Sequence, residues 1–172
     1  MSASGRSRRD WGWHRLDDEW AARIVGAAGI RPGELVLDLG AGEGALTAYL
    51  VRAGARVVAV ELNPRRAAIL RERFPGITVV QADATAIPFP GRPFRVVANP
   101  PFGISSSLLR ALLRPGSRLV AADLVLQRAV VRKHASSPGR RFNVSAGLML
   151  PRRAFLPPPQ VDSAVLVVRR RK

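Results

Sequence analysis

Short apolar runs alternating with stretches of helical spacing leave this chain few ways to fold. Leu35–Gly40 (LVLDLG) is the first such run, and Arg56–Glu61 (RVVAVE), Ile77–Gln81 (ITVVQ), Arg95–Ala98 (RVVA) and Leu119–Leu126 follow it. Runs that are apolar at nearly every position suit strands buried on both faces, as in a parallel sheet covered by helices. Helical patterns fall around and between them. One is opened by Asp17-Asp18-Glu19 and closed by Gly29; the others are Gly44–Ala53, Pro64–Phe74 with proline in its first turn, Ser105–Leu113, and Gln127 to about Ala135. Val144–Leu150 and Val161–Val168 close the chain, joined by the proline-rich Pro151–Gln160, which leaves no room for a helix, so this last pair is expected to be antiparallel. The expected architecture is α/β and Rossmann-like: a seven-stranded sheet, mostly parallel with an antiparallel closing strand, and helices on both faces. A length of 172 residues fits one such domain.

Several chemistries are excluded by what is missing. With no cysteine there is no disulfide, thiol nucleophile or thiolate zinc site, and two histidines, His14 and His134, make no metal cluster. No apolar run approaches the ~18 residues of a membrane helix, and the basic start lacks a following apolar segment. A cytoplasmic protein without metal or membrane partner is therefore expected.

The net charge of +16 is unevenly spread. Residues 1–16 carry +3, residues 17–126 also only +3, and residues 127–172 carry +10. A nearly balanced middle with a concentrated positive field at the end points to a polyanion, nucleic acid before membrane, because no amphipathic helix adjoins the basic end. Heavy use of arginine, 26 against two lysines, is the plainer explanation.

At the first strand's end lies Asp38-Leu39-Gly40-Ala41-Gly42-Glu43-Gly44, a turn whose glycines allow close backbone approach to a ligand. Glu61 ends the second strand, where a carboxylate can accept both hydroxyls of a ribose, and Asp83 follows the third, in position to contact an adenine ring. Three strand ends on one crevice describe an adenosine site. The spacing G-x-G-x-G differs from the dinucleotide pattern, and no G-K-[ST] is present to cradle a triphosphate, so S-adenosylmethionine, which has no phosphate, fits better. Asp38 either orients that cofactor's amino group or caps the loop.

After the fourth strand comes Asn99-Pro100-Pro101-Phe102, the most specific signal in the chain. An exocyclic aromatic amine is a weak nucleophile because its lone pair is delocalised into the ring. If the Asn99 side-chain oxygen and the Pro100 carbonyl each accept one of its N–H bonds, the nitrogen is drawn toward a tetrahedral shape and its lone pair is freed for methyl transfer. The prolines fix the backbone, and Phe102 can stack on a base turned out of its helix. No general base is needed in this loop, which has no Asp, Glu or His.

LDLGAGEG, AVE, QADA, NPPFGIS and the late PRRAFLPPPQVDSAVLVV together resemble the Erm family of 23S rRNA adenine-N6 methyltransferases, relatives of the ribosomal RNA dimethyladenosine transferases, over about residues 12–168. The resemblance implies a class I S-adenosylmethionine-dependent methyltransferase that modifies one adenine near the peptidyl-transferase and exit-tunnel region of 23S rRNA, in precursor or partly assembled form, so blocking macrolides, lincosamides and streptogramin B. Carried over by position, Gly40, Gly42, Glu61, Asp83 and Asn99 contact the cofactor, Asn99 to Phe102 form the catalytic loop, and Phe102 and Phe155 sandwich the adenine. The family's Q-N-F-L stands here as Trp13-His14-Arg15-Leu16, which aligns His14 and Leu16 with cofactor residues. Relatives usually continue into a helical C-terminal domain, and the expectation is a short form without it: a basic arm over residues 1–16, a catalytic domain over 17–168 and a basic tail over 169–172. Arg6, Arg8, Arg9, Trp11 and Trp13 in the arm, Arg152 and Arg153 beside Phe155, and Arg169, Arg170, Arg171 and Lys172 in the tail are expected to bind RNA in its place. Alternative substrates for the same chemistry are a DNA adenine or a protein amide, and a non-enzymatic alternative is a ribosome-assembly factor that binds RNA.

Overall fold

The structure, a computed structural model, describes residues 13–137 and 139–172. Strand β1 is short, Arg15–Leu16, and leads into helix α1, Asp18–Ala28. Asp17 caps α1 through its side chain, accepting the N–H of Glu19 at 3.3 Å, and Gly29 ends it with a left-handed backbone. The chain then alternates through β2 (Leu35–Leu39), α2 (Ala45–Arg52), β3 (Arg56–Val60), α3 (Pro64–Arg73), β4 (Thr78–Val80), β5 (Phe94–Ala98), α4 (Ser105–Leu113), β6 (Leu119–Gln127) and α5 (Arg128–Ala135). It finishes with β7 (Phe142–Leu150), β8 (Phe155–Leu156) and β9 (Ser163–Arg170).

Seven strands form one sheet in the order β4-β3-β2-β5-β6-β9-β7. The pairs from β4 to β6 are parallel, and β9 runs antiparallel between β6 and β7. The expected mostly parallel sheet with an antiparallel closing strand is the one found.

Alternation along the strands builds two cores. Leu37, Leu39, Val96, Ala98, Leu124, Leu126, Ala164 and Leu166 face Leu108, Leu109 and Leu112 of α4 and Val131 of α5. Val36, Val57, Val97, Val125 and Val165 face Ile24 and Val25 of α1 and Leu46 and Leu50 of α2. Each inner strand is thus apolar at consecutive positions because it has a hydrophobic layer on either side.

Sequence reading missed the small second sheet, in which β1 pairs antiparallel with β8 through Arg15↔Leu156 and Leu16↔Phe155. The N–H of Asp17 extends this contact by donating to the Ala154 carbonyl at 2.8 Å. Two-residue strands about 140 positions apart carry no periodic signal of their own. The fold therefore begins before residue 17.

It also continues past residue 168, and the role expected of the basic tail needs correcting. Arg169 and Arg170 are the last residues of β9. Arg169 forms a two-pronged ion pair with Asp123, 3.0 Å on each prong, and Arg170 donates to the carbonyls of Leu119 and Ser117 at 2.7 Å each. Asp123 also lies 3.9 Å from Arg95, whose guanidinium bonds Glu34 at 3.1 Å and the Gly29 carbonyl at 3.2 Å. These groups lie toward the edge where the parallel strands begin. Arg169 and Arg170 are structural because β9 is antiparallel, which carries the chain's end away from the edge at which the parallel strands finish.

Arg169→Ala should lower unfolding free energy by about 2 kcal/mol in urea titration. Removing one partner of a fully buried pair costs ~3–5 kcal/mol, and partial exposure of Arg169 reduces that figure. An unchanged midpoint would return Arg169 to the solvated tail.

Candidate active site

The glycine turn after β2 is fastened to the end of β3. The N–H groups of Gly40 and Ala41 both donate to the Val60 carbonyl, at 2.8 and 3.0 Å, and that of Gly42 donates to Glu61 Oε1 at 2.8 Å. The other Glu61 oxygen accepts the Asn63 N–H at 2.8 Å. Glu61, only 6 % exposed, therefore ties the turn to the start of α3, and its oxygens reach a ligand only through their remaining lone pairs.

Gly40 has φ +75°, and a Cβ there would lie 2.9 Å from Pro101 Cδ, so the turn and the Asn99–Phe102 loop meet with no space for a side chain. Gly42 has φ +60°, and a Cβ there would come within 2.6 Å of the Trp13 indole nitrogen. Trp13 thus lies over the glycine turn, with the Arg66 guanidinium 3.8 Å from its ring centre. The ring expected to stack on RNA is thus already in contact with the turn and with Arg66 of α3.

A cavity opens where these elements meet. Trp13, Leu16, Asp38, Gly40, Ala41 and Asn99 are among the residues lining it. Asp38 is 1 % exposed and is held by Thr47, whose hydroxyl donates to Oδ2 at 2.7 Å and whose backbone N–H also bonds the carboxylate. Burial raises the Asp38 pKa to about 7, and the nearby Glu61 charge adds to the rise, against the opposing pull of the Thr47 bond. A buried carboxylate with so few donors suits a cationic group. Thr47, buried in the first half of α2, is a site residue that sequence reading missed; its signal was a hydroxyl on the apolar face of a short helix. Arg73 is another: it lines the same cavity and donates to the Glu43 carbonyl.

Asp83 stands apart from this cavity. It is exposed, and one of its oxygens accepts both the N–H and the hydroxyl of Thr85, at 2.9 and 2.7 Å, bonds that lower its pKa and keep it ionised.

Asn99 follows β5, and its amide nitrogen donates to the His14 carbonyl at 2.9 Å. That bond decides which way the amide faces, because the nitrogen is the donor and Oδ1 is left as an acceptor. Pro100 is buried, and Phe102 opens a 3₁₀ turn, Phe102–Ile104, with its carbonyl accepting the Ser105 hydroxyl at 2.9 Å.

The His14 side chain is not among the residues lining the cavity. Its ring stacks on Phe102, centres 5.7 Å apart at 29°, and stands edge-on to Phe155 at 6.5 Å. Nδ1 lies 2.7 Å from the Pro157 carbonyl; since a carbonyl only accepts, Nδ1 carries the proton there. Two expectations change. The His14 imidazole is an aromatic neighbour of Phe102, and its link to the cavity is the carbonyl that accepts from Asn99. Phe155 is 3 % exposed, on the inward side of β8 in the core with Leu16 and Leu150, so it does not form an open wall for a base; the outward residue of that strand is Leu156, at 69 % exposure.

Arg152 and Arg153 are exposed in the 3₁₀ turn after β7, at the edge where the parallel strands end. Arg171 and Lys172 are exposed at the opposite edge, with the Arg171 N–H on the Arg141 carbonyl at 2.9 Å. Arg6, Arg8, Arg9 and Trp11 lie outside the described residues. Among the described residues no group of acids and histidines could hold a metal, and no helix is long and apolar enough to cross a membrane.

Comparison with known proteins adds a family to this geometry. The chain is 35 % identical to ribosomal RNA small subunit methyltransferase A of Leptothrix cholodnii, covering 92 % of this chain and 66 % of that protein. It is 38 % identical to the mycinamicin-resistance protein MyrB of Micromonospora griseorubida, covering 87 % of this chain and 50 % of that one. The chain thus spans between half and just under two thirds of these relatives. Among solved structures, the 23S rRNA methyltransferase ErmE superposes with a TM-score of 0.83 at 36 % identity, covering 91 % of this chain and 70 % of ErmE. Residues 6–172 match the ribosomal RNA adenine dimethylase family, and with the glycine turn, the Asn99–Phe102 loop and the sheet all in place, the chain belongs to that family.

Proposed function

We propose that this protein transfers a methyl group from S-adenosylmethionine to the exocyclic N6 of one adenine in 23S rRNA, and that the modification confers resistance to macrolides, lincosamides and streptogramin B. The observation that carries the reading is the bond from Asn99 to the His14 carbonyl, which leaves Oδ1 as a fixed acceptor beside the cofactor cavity.

The residues present suit the cofactor. Asp38, buried and bonded by Thr47, would take its cationic amino group, the Gly40–Gly42 turn would admit its backbone-hugging centre, and the lone pairs of Glu61 together with Asp83 would meet its ribose and adenine. When bound, the cofactor supplies an electrophilic methyl group on a sulfonium. The protein's own contribution is positional. Asn99 Oδ1 and the Pro100 carbonyl accept the two N–H bonds of the target amine, which turns its lone pair toward the methyl carbon. Phe102, with His14 behind it, offers the flipped base an aromatic platform. The amine would gain the methyl group at the expense of the sulfonium C–S bond, whose electron pair would stay on sulfur, and would release one proton to water, since the Asn99–Phe102 loop holds no general base.

A second reading keeps this chemistry and moves it to small-subunit rRNA, favoured by the relatives that carry that name at similar identity. Mass spectrometry of both rRNAs from a drug-sensitive host expressing the chain separates the two. We expect a methylated adenine in 23S rRNA with a raised macrolide tolerance; modification confined to the small subunit would move the substrate, and unmodified rRNA would reject both. Asn99→Ala should reduce methylation by about 10²-fold or more, the scale seen when one preorganised hydrogen-bonding group is removed, with the thermal midpoint little changed.

Asp38 gives the site a pH signature. A cationic amine binds its ionised form, so cofactor affinity should rise with pH, by at most about tenfold per unit, and level off near pH 7. Stability should run the other way. The unfolded carboxyl loses its proton first, so raising the pH from about 4 to about 7 costs the folded state on the order of 4 kcal/mol relative to Asp38→Asn. Calorimetric titration and urea unfolding of both proteins across that range check the two slopes. Parallel curves for wild type and Asp38→Asn would remove Asp38 from the cofactor site.

A further inference from the structure

Glu61 is closed off from the cavity that serves the rest of the site. Trp13, Asp38, Gly40 and Asn99 line that cavity, whereas Glu61 and Asp83 do not, and Glu61 is only 6 % exposed. What lies between is an indole ring. Trp13 is packed against Gly42, with the Arg66 guanidinium 3.8 Å from its ring centre. Both neighbours adjoin Glu61: the Gly42 N–H is bonded to Glu61 Oε1 at 2.8 Å, and Arg66 lies in the first turn of α3, whose cap, Asn63, gives its N–H to Glu61 Oε2 at 2.8 Å. The ring thus spans the two elements that flank the carboxylate. The cavity opens where a cationic amino group fits Asp38 and stops at Trp13, short of the place where a ribose would meet Glu61.

The ring is held by contact and charge alone. Among the described residues the Trp13 indole N–H has no acceptor, and the side chain is only half-buried. Attraction between a guanidinium and an indole face shifts an equilibrium by about twofold to thirtyfold, depending on how far the pair is removed from water. Main chain next to the ring is firmer. The His14 carbonyl accepts from Asn99 at 2.9 Å, and Arg15 pairs with Leu156 in the small sheet. Motion is thereby confined to the Trp13 side chain, whose χ1 can pass between staggered positions without disturbing β1. Arg66, which is 9 % exposed, would exchange the ring for water as the indole leaves, so opening costs little.

We propose that Trp13 is a swinging cover over the ribose-binding carboxylate: closed on Gly42 and Arg66 it bars Glu61 from a ribose, and the cofactor binds by turning the indole aside. The proposal rests on the S-adenosylmethionine reading above and adds what the adenosine half of that molecule must displace. Because the ring has to leave before ribose hydroxyls reach Glu61, the measured affinity is the intrinsic affinity reduced by the fraction of molecules whose cover is open.

The test uses the full chain carrying W11F and W20F, in which Trp13 is the one tryptophan left of three, titrated with S-adenosylhomocysteine. Its fluorescence reports the ring directly. We expect saturating ligand to move Trp13 emission to longer wavelength and to increase its quenching by acrylamide, as the indole passes from the turn into water. In parallel, calorimetric titration compares wild type with W13A, each shown to be folded by its thermal midpoint. W13A should bind S-adenosylhomocysteine more tightly by about twofold to thirtyfold, the factor by which the guanidinium contact favours the closed cover. A fixed wall of the site behaves in the opposite way. Emission and quenching unchanged at saturation, or weaker binding by W13A, would overturn the proposal and leave the cofactor reading intact. Wild type that takes up no S-adenosylhomocysteine in the calorimeter would refute the cofactor reading itself, and the cover with it.

Discussion

The contact between the Gly40 turn and Pro101 governs the spacing of everything around it. At 2.9 Å from Pro101 to the place a Cβ would occupy, no residue but glycine lets the two loops meet, and φ of +75° restricts the position further. Because the turn is tied to β3 by the Val60 carbonyl and the Glu61 carboxylate, it cannot retreat to make room. The proline loop is held equally firmly by its ring constraints and by β5, whose residues are all buried. The cavity and the Asn99–Phe102 loop are therefore fixed relative to each other by main chain, which suits the proposed methyl transfer, in which alignment supplies most of the catalysis.

The small β1–β8 sheet completes that arrangement from outside the main sheet. It holds His14 so that its carbonyl faces the Asn99 amide and its ring stacks on one face of Phe102, while Leu16 lines the cavity. Residues from the start of the described chain and from the segment after β7 thus determine how an amide in the middle of the chain is oriented. Such a fixed orientation matters because a flipped amide would present a donor where the chemistry needs an acceptor.

Charge is sorted by strand direction. The antiparallel β9 takes Arg169 and Arg170 to the edge remote from the reactive loop, where Asp123 and free carbonyls absorb them. The parallel β6 and β7 end at the near edge and leave Arg128, Arg132 and Arg152 beside Asn99. Net charge alone describes neither outcome, since both groups fall within the same strongly basic quarter of the sequence.

The order of elements, the sheet's buried strands, the glycine turn and the Asn99–Phe102 loop were legible in the sequence because each is set by local rules: continuous apolar runs, proline and glycine backbone preferences, and the acidic start of α1 at Asp17. What remained hidden depends on residues distant in the chain. The pairing of β1 with β8 is too short to leave a pattern, Trp13 reads as an exposed aromatic until Gly42 and Arg66 enclose it, and Phe155 reads as a base platform until strand alternation turns it inward and Leu156 outward. By itself the sequence determined which chemistry the chain can hold, since residue type and local spacing specify donors, acceptors and turns. Only the tertiary structure decided which arginines are free and which way Asn99 faces, because both depend on partners supplied by strands that meet across the sheet.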